Sequence, residues 1–191
     1  MALSDNQIID EIRSGRKHYF TSLVDRYKDR AFTLAVRMLR NREEAEEAAQ
    51  DAFIRAYNAL NSFEEKSRFS TWFYRILYNV CLTRISRRKD FSLSIDFNDN
   101  IEYAEAEAMV DYTGNNNYEM SDTIDFIKKT MDALPAKYQT ILTLFYIQEL
   151  SHDEIAEVTQ LPIGTIKTHL FRARHLLQQR LQKEFEMEKA S

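Results

Sequence analysis

Residues that break or cross-link a chain are scarce in this sequence. Its 191 residues include three Gly, two Pro and one Cys. Few breakers favour long helices over sheets with their turns, and a lone Cys cannot form a disulfide within the chain. Cys81 lies among helical apolar residues, so we expect a small core residue and not a reactive or metal-binding thiol. The composition therefore predicts an all-α protein in a reducing, cytoplasmic setting.

Long apolar runs are also missing. The first residues, MALSDNQIIDEIRSG, lack the basic and apolar stretches of a signal peptide. No run approaches the roughly 18–20 apolar residues that span a bilayer. With 44% hydrophobic and 29% charged residues, the chain has the composition of a soluble globular protein. We therefore expect no membrane insertion.

Two neighbouring segments each lack one sign of charge, the first the acidic residues and the second the basic ones. The stretch KSRFSTWFYRILYNVCLTRISRRK, residues 66–89, has seven Lys or Arg and no Asp or Glu. Residues 90–125 have ten Asp or Glu and no Lys or Arg, although the formal net charge of the chain is only -4. Such an acidic, Asn-rich segment favours a linker. We predict two small helical domains, at 1–92 and 122–191, joined by an acidic flexible linker at 93–121.

Apolar residues at helical spacing predict four helices before residue 90. Ser4 with Gln7, and Asn41 with Glu44, are the pairs expected to cap two helix starts. Ser70 is the expected N-cap of the fourth helix. Helices with matching apolar faces predict a compact bundle.

The fourth helix is apolar on most of its circumference, so we expect it to be buried from two directions. The residues left over form a narrow polar strip: Trp72, Arg75, Asn79, Thr83 and Ser86. Such a strip suits an extended nucleic-acid strand, because rings stack on unpaired bases and cations follow phosphates. Most rings of this segment are expected in the core. Phe63, Phe69 and Trp72, in or beside the loop before the helix, are the rings expected to stack on bases.

Residues 150–181 predict a helix-turn-helix. Ser151 and Glu154 form a capping box before a short helix, TQLP ends it, and a longer helix begins near Pro162. One side of the longer helix is apolar, and the opposite side has Lys167, Thr168, Phe171, Arg172 and His175. Lys and Arg reach phosphates or guanine edges, which indicates duplex binding. An ordinary helical hairpin with a solvated basic face stays open, as does packing of Phe171 on a neighbouring helix.

One domain suited to single strands and one suited to duplex DNA form an uncommon combination. At these residues the sequence resembles the extracytoplasmic-function (ECF, group IV) sigma factors of bacterial RNA polymerase. AEEAAQDAFIRAYNAL is similar to their region 2.2, FSTWFYRILYNVCLTRISRRK to regions 2.3 and 2.4, and LSHDEIAEVTQLPIGTIKTHLFRAR to region 4.2. The resemblance covers nearly the whole chain, and the three motifs in this order and separation are specific to the family.

The resemblance implies an alternative sigma factor that binds core polymerase, recognises −35 and −10 promoter elements and stabilises the melted strand. The implied core-binding residues are Glu47, Gln50, Asp51 and Arg55. The implied −10, single-strand residues are Phe63, Arg68, Phe69, Trp72, Arg75 and Asn79. The implied −35 residues are Thr165, Lys167, Thr168, His169, Phe171 and Arg172. Thr168 and His169 stand where many members have Ser and Arg.

The implied partners are core RNA polymerase, through its β′ coiled coil and β flap, promoter DNA, and an anti-sigma factor. No cofactor and no metal are expected, because the four His residues lack metal-ligand spacing and no Gly-rich phosphate loop occurs.

Two alternative functions stay open. A helix-turn-helix regulator that is not a polymerase subunit would bind palindromic duplex by itself and would give the strip no role. A helical enzyme would show nuclease or nucleotidase activity, although we expect no enzyme.

Overall fold

The computed structural model describes residues 3–88 and 130–189, with side chains described as far as residue 183. Its α-helices are Asp5–Arg13 (α1), Phe20–Leu39 (α2), Arg42–Ala59 (α3), Phe69–Arg87 (α4), Ala136–Leu142 (α5), His152–Thr159 (α6) and Ile163–Lys189 (α7). Short 3₁₀ turns lie at Lys17–Tyr19 and Leu60–Ser62, and a π-helical turn lies at Thr143–Ile147. No β-strand occurs within the described ranges, in agreement with the all-α prediction. The predicted linker lies outside them.

Side-chain caps begin two of the first helices as the sequence predicts. The Ser4 hydroxyl accepts from the Gln7 N–H at 3.3 Å, and the Gln7 side chain accepts from the Ser4 N–H at 2.9 Å. Asn41 accepts from the Glu44 N–H at 3.0 Å. Both caps satisfy N–H groups that a helix start otherwise leaves without partners.

The predicted cap of α4 is wrong. The helix begins at Phe69, and Arg68 stands at the N-cap position without a side-chain hydrogen bond to the helix. Ser70 lies within the first turn. Phe69 is only 1% exposed. Burial of its ring, and not capping by the Ser70 hydroxyl, therefore fixes the start of this helix.

Helices α1 to α4 form the predicted bundle, here called the N-terminal lobe (residues 3–88). α2 packs against α1, α3 and α4, and α3 also packs against α4. A cluster of rings spans the centre, with neighbouring centroids 4.6 to 6.1 Å apart: Tyr27, Phe53, Phe69, Phe73 and Tyr74. α4 is buried on two sides as predicted, through Phe69, Thr71, Phe73, Tyr74, Leu77, Tyr78, Val80, Cys81 and Ile85.

The C-terminal lobe (residues 130–189) packs directly on the N-terminal lobe. Within it, α5 and α6 contact α7. Between the lobes, α6 contacts α4 and α5 contacts α2. Gln148 donates to the Arg30 carbonyl at 2.9 Å, and Arg40 donates to the Leu134 carbonyl at 2.6 Å. None of the helices in the described ranges has the length and hydropathy to cross a bilayer.

Cys81 provides a test of the α4 packing. It is fully buried, and burial raises the pKa of its thiol to about 12. Only the thiolate is nucleophilic, so we predict that Cys81 of the folded chain reacts with a disulfide reagent at pH 8 at least about 100-fold more slowly than in urea. The absorbance of the released thiolate measures the rate. Rapid reaction without denaturant would contradict the burial of this side of α4.

Candidate nucleic-acid interface

The polar strip of α4 faces solvent as predicted. Arg75, Asn79, Thr83 and Ser86 are exposed, and Trp72 is half-buried. The Thr83 hydroxyl donates to the Asn79 carbonyl at 2.8 Å, and the Ser86 hydroxyl donates to the Thr83 carbonyl at 2.9 Å. These two hydroxyls therefore lie along the helix, while the guanidinium of Arg75 and the amide of Asn79 are presented one turn apart.

The loop between α3 and α4 (residues 60–68) differs from the sequence-based expectation. Phe63 and Phe69 are only 4% and 1% exposed, so neither ring is open to a base in this arrangement. Both turn inward because an apolar ring gains more by joining the ring cluster than by facing water. Their centroids lie 4.9 and 5.8 Å from that of Trp72. The corrected picture is a buried platform of two rings beneath one partly exposed indole.

The predicted core-binding residues lie on α3, and two of them are engaged with α4. Arg84 donates to Glu47 and to Asp51, each at 2.8 Å. These hydrogen bonds raise the pKa of Arg84. Gln50 and Arg55 are exposed on the same side of α3.

Ile54 lies on this α3 surface and was not predicted. It is 60% exposed, although a large aliphatic side chain in water is unfavourable. At 100° per residue it lies between Gln50 and Glu47, near the middle of the polar face. One large aliphatic residue on an otherwise polar helix face is the sequence signal that identifies it.

The helix-turn-helix is formed by α6, the turn at 160–162 and α7. The Ser151 hydroxyl accepts from the Glu154 N–H at 3.2 Å, and Glu154 accepts from the Ser151 N–H at 2.9 Å, so the predicted capping box is present. Gln160 ends α6 in the left-handed region with φ of 60°. α7 begins at Ile163, directly after Pro162. Cap, turn and helix order all match the sequence-based prediction.

The predicted duplex-reading residues of α7 are exposed to different degrees. Lys167 and Thr168 are exposed, and Phe171 is 51% exposed, so its ring does not pack into a neighbouring helix. Thr165 and Arg172 are half-buried. A Lys, a hydroxyl and a ring thus share one accessible surface, which suits phosphates, base edges and thymine methyl groups.

His169 does not belong to that surface. It is 2% exposed, and its ring meets Tyr138 of α5 edge-on with centroids 6.1 Å apart. Position 169 is three residues after the buried Ile166 and four before the buried Ala173, which places it on the core side of α7. The expectation that His169 contacts DNA is therefore corrected: in this structure it is a core residue.

Comparison with known proteins identifies the family. The Sigma-70 region 2 family model matches residues 23–91, and the Sigma-70 region 4 model matches residues 127–177. The chain is 38% identical over 184 residues to the ECF RNA polymerase sigma factor SigW of Bacillus subtilis, covering 91% of this chain and 94% of that protein. It belongs to the ECF sigma factors. It is also 34% identical over 181 residues to the RNA polymerase sigma-H factor of Pseudomonas aeruginosa, covering 93% and 94%.

A solved structure shares the fold of this sigma factor. The sigma factor RpoE of Bartonella quintana, in its co-crystal structure with the anti-sigma factor NepR, superposes with a TM-score of 0.61 at 23% identity. The match covers 85% of this chain and 96% of that one. At this identity the likeness establishes the fold alone.

In this sigma factor, carboxylates of α6 face the α3–α4 loop and the first turn of α4. Glu157 accepts from the Ser67 hydroxyl at 3.0 Å, and Glu154 accepts from the Thr71 hydroxyl at 2.9 Å. Partial burial raises the pKa of Glu154, but hydrogen bonds from Ser151 and Thr71 and the nearby Arg68 outweigh it and lower the pKa overall. A charged carboxylate therefore lies 3.7 Å from the Arg68 guanidinium, a group suited to a DNA phosphate.

A charge reversal tests this contact. Glu157→Lys places an ammonium beside Ser67, which stands between Lys66 and Arg68 in the chain, so we predict that the lobes separate and that the radius of gyration rises by roughly 10% or more. Small-angle X-ray scattering of the whole chain measures it. Glu46→Lys is the matched control, because Glu46 pairs with Arg42 on the exposed surface of α3. Equal radii for both variants would show that Glu157 does not hold the lobes together.

Proposed function

We propose that this sigma factor binds core RNA polymerase and directs initiation at promoters, with one lobe for each promoter element. The polymerase supplies the catalytic metal and forms the bonds, and this chain performs no covalent chemistry. The supporting observation is that this chain presents two exposed surfaces: the polar strip of α4, which suits single strands, and the helix-turn-helix surface of α7, which suits duplex DNA. Neither the regulator nor the enzyme explains that pair of surfaces, and family membership favours the sigma factor over both.

The melted −10 strand is assigned to the strip on α4. Trp72 stacks on an unpaired base, a contact worth about 1–3 kcal/mol. Arg75 and Arg68 follow the phosphates, and Asn79 reads the edge of a base that has left the stack. Phe63 and Phe69 act beneath Trp72 as support for its ring, because their own faces are buried.

The −35 duplex is assigned to α7. Lys167 contacts phosphate or guanine, Thr168 contacts a base edge, and Phe171 meets a thymine methyl group. Thr165 and Arg172, both half-buried, lie at the margin of this surface. Because phosphate contacts release counterions, binding by the isolated lobe is expected to weaken as salt rises.

Core polymerase is assigned to the exposed side of α3. Gln50, Ile54 and Arg55 make the contact with the β′ coiled coil, and Arg84 holds Glu47 and Asp51 in place at its edge. The β flap is assigned to the C-terminal lobe as a second polymerase contact. An anti-sigma factor is a further expected partner, since the solved relative RpoE was crystallised with one.

Simultaneous recognition of both elements requires the lobes to separate. Positions −35 and −10 lie about 25 base pairs apart, on the order of 85 Å of duplex at about 3.4 Å per base pair. In the structure, Thr71 of α4 and Glu154 of α6 are 2.9 Å apart. The described arrangement is therefore a closed form, and binding to polymerase opens it.

Ile54 provides a test of the polymerase contact. Ile54→Ala removes most of an aliphatic side chain that the complex buries, so we predict roughly 5- to 30-fold weaker binding to core polymerase. Fluorescence anisotropy of the labelled sigma factor against core enzyme measures the affinity. Glu46→Ala, on the same helix but about 80° around its axis, is expected to leave it unchanged. Equal affinity of the Ile54→Ala variant and the unaltered chain would remove this face from the interface.

Trp72 provides a test of strand capture and of the function itself. The assay is run-off transcription with core polymerase on a promoter selected from a random library. Trp72→Ala is expected to lower transcription from duplex template by roughly 5- to 100-fold, and by less on a template whose −10 region is already unpaired, because the ring stabilises the melted strand. Failure of the unaltered chain to redirect core polymerase would contradict the sigma-factor function. Equal loss on both templates would contradict the role of Trp72 in melting.

A further inference from the structure

An arginine outside the matched family regions holds the α3–α4 loop. Arg13 is the last residue of α1, whereas the family match begins at residue 23. Its guanidinium donates to the Leu60 carbonyl at 3.3 Å and to the Phe63 carbonyl, and it pairs with the Glu65 carboxylate at 2.5 Å. One side chain thus contacts three successive points of the loop.

The loop has groups that require such a donor. The 3₁₀ turn Leu60–Ser62 follows α3, and the last carbonyls of a helix have no partner within it. A guanidinium supplies several N–H donors in one plane, and a positive charge is favourable at the C-terminal end of a helix. Glu65 has φ of 56°, a left-handed conformation that is costly for a residue with a side chain. Its ion pair with Arg13 offsets part of that cost.

The helix that carries Arg13 is itself anchored. Ile8, Ile9 and Ile12 of α1 are buried in the core of the lobe. At the other end of α1, Asp5 accepts from the Tyr27 hydroxyl and pairs with Arg26. Arg13 therefore extends from a fixed support, and its contacts restrict where the loop backbone lies.

The position of the loop backbone determines where the platform lies. Arg13 holds the Phe63 carbonyl, and the Phe63 ring lies 4.9 Å from the Trp72 ring, centroid to centroid. A shift of the backbone at Phe63 moves the support on which Trp72 rests. A chain of contacts thus runs from α1, through Arg13 and Phe63, to the ring assigned to stack on a base.

We propose that Arg13 is a positioning residue for single-strand recognition, which fixes the α3–α4 loop and thereby sets which base the −10 site accepts. The inference rests on the proposed function and assigns the N-terminal helix a part in promoter specificity. Arg13 itself acts through Phe63 and Glu65 and does not contact the strand.

The test compares Arg13→Ala, Arg13→Lys and Arg16→Ala in the full chain assembled with core polymerase. Arg16 is the matched control, because it is exposed nearby, just after α1, and pairs with Glu11 of α1. The probe is a single-stranded oligonucleotide with the −10 element of a library-selected promoter, together with a panel in which each base is replaced. The measured quantity is the ratio of affinities for the preferred and the replaced base.

Arg13→Ala is expected to lower that ratio by roughly 5- to 100-fold, because recognition of one base contributes about 1–3 kcal/mol of discrimination, which a displaced loop loses. Arg13→Lys keeps the charge but loses the planar fork, so it is expected to lose most of the discrimination as well. Arg16→Ala is expected to keep it. If Arg13→Ala does not fold, the ratio for Arg13→Lys decides.

Two outcomes overturn the inference. A variant that binds every oligonucleotide less tightly by the same factor, with an unchanged ratio, would show that Arg13 only stabilises the fold. An unchanged ratio and affinity would show that the loop does not depend on Arg13. A failure of the proposed function is distinguishable from both, because the unaltered chain would then give no promoter-dependent transcript with core polymerase.

Discussion

The burial of α4 on two sides is the constraint on which the rest of the structure depends. The ring cluster of Tyr27, Phe53, Phe69, Phe73 and Tyr74 holds one part of its circumference. Tyr78 and Cys81 bury another part. Burial of several aromatic rings is worth more than any polar contact at the surface of the lobe, so α4 has little freedom to rotate. Its one solvent-facing strip is therefore held in a fixed direction.

The same helix connects every proposed interface. Its N-terminal end follows the α3–α4 loop, its middle presents Arg75 and Asn79, and Arg84 near its C-terminal end pairs with two carboxylates of α3. α6 of the C-terminal lobe contacts it as well. In the proposed function, a base in the melted strand, the polymerase surface and the duplex-reading lobe would all meet one rigid element. Recognition of the strand thus depends on the same packing that stabilises the fold.

The sequence predicted features that depend on local chemistry and missed features that depend on tertiary contacts. Capping pairs such as Ser151 with Glu154 involve residues three apart, so the sequence identifies them directly. Periodicity likewise placed the strip on α4. Phe63 and His169 were assigned to exposed surfaces, because their burial depends on rings elsewhere in the chain, Trp72 and Tyr138. The contact of α6 with the loop was not predicted for the same reason: Ser67 and Glu157 are 90 residues apart.

In the proposed function, the contact between α6 and the N-terminal lobe also gives a reason why strand recognition needs the polymerase. Hydrogen bonds to charged groups are worth about 1.5–3 kcal/mol each, and an exposed ion pair such as Arg68 with Glu154 adds about 0–1 kcal/mol. The polar contacts between α6 and the loop therefore stabilise the closed form by a few kcal/mol. A partner that binds only the open form loses that amount from its affinity. A partner that binds with nanomolar affinity, about 12 kcal/mol, would exceed this cost, whereas weak contacts to one base would not. In the proposed function, the carboxylates of α6 thus keep Arg68 paired and the lobes together until the polymerase separates them.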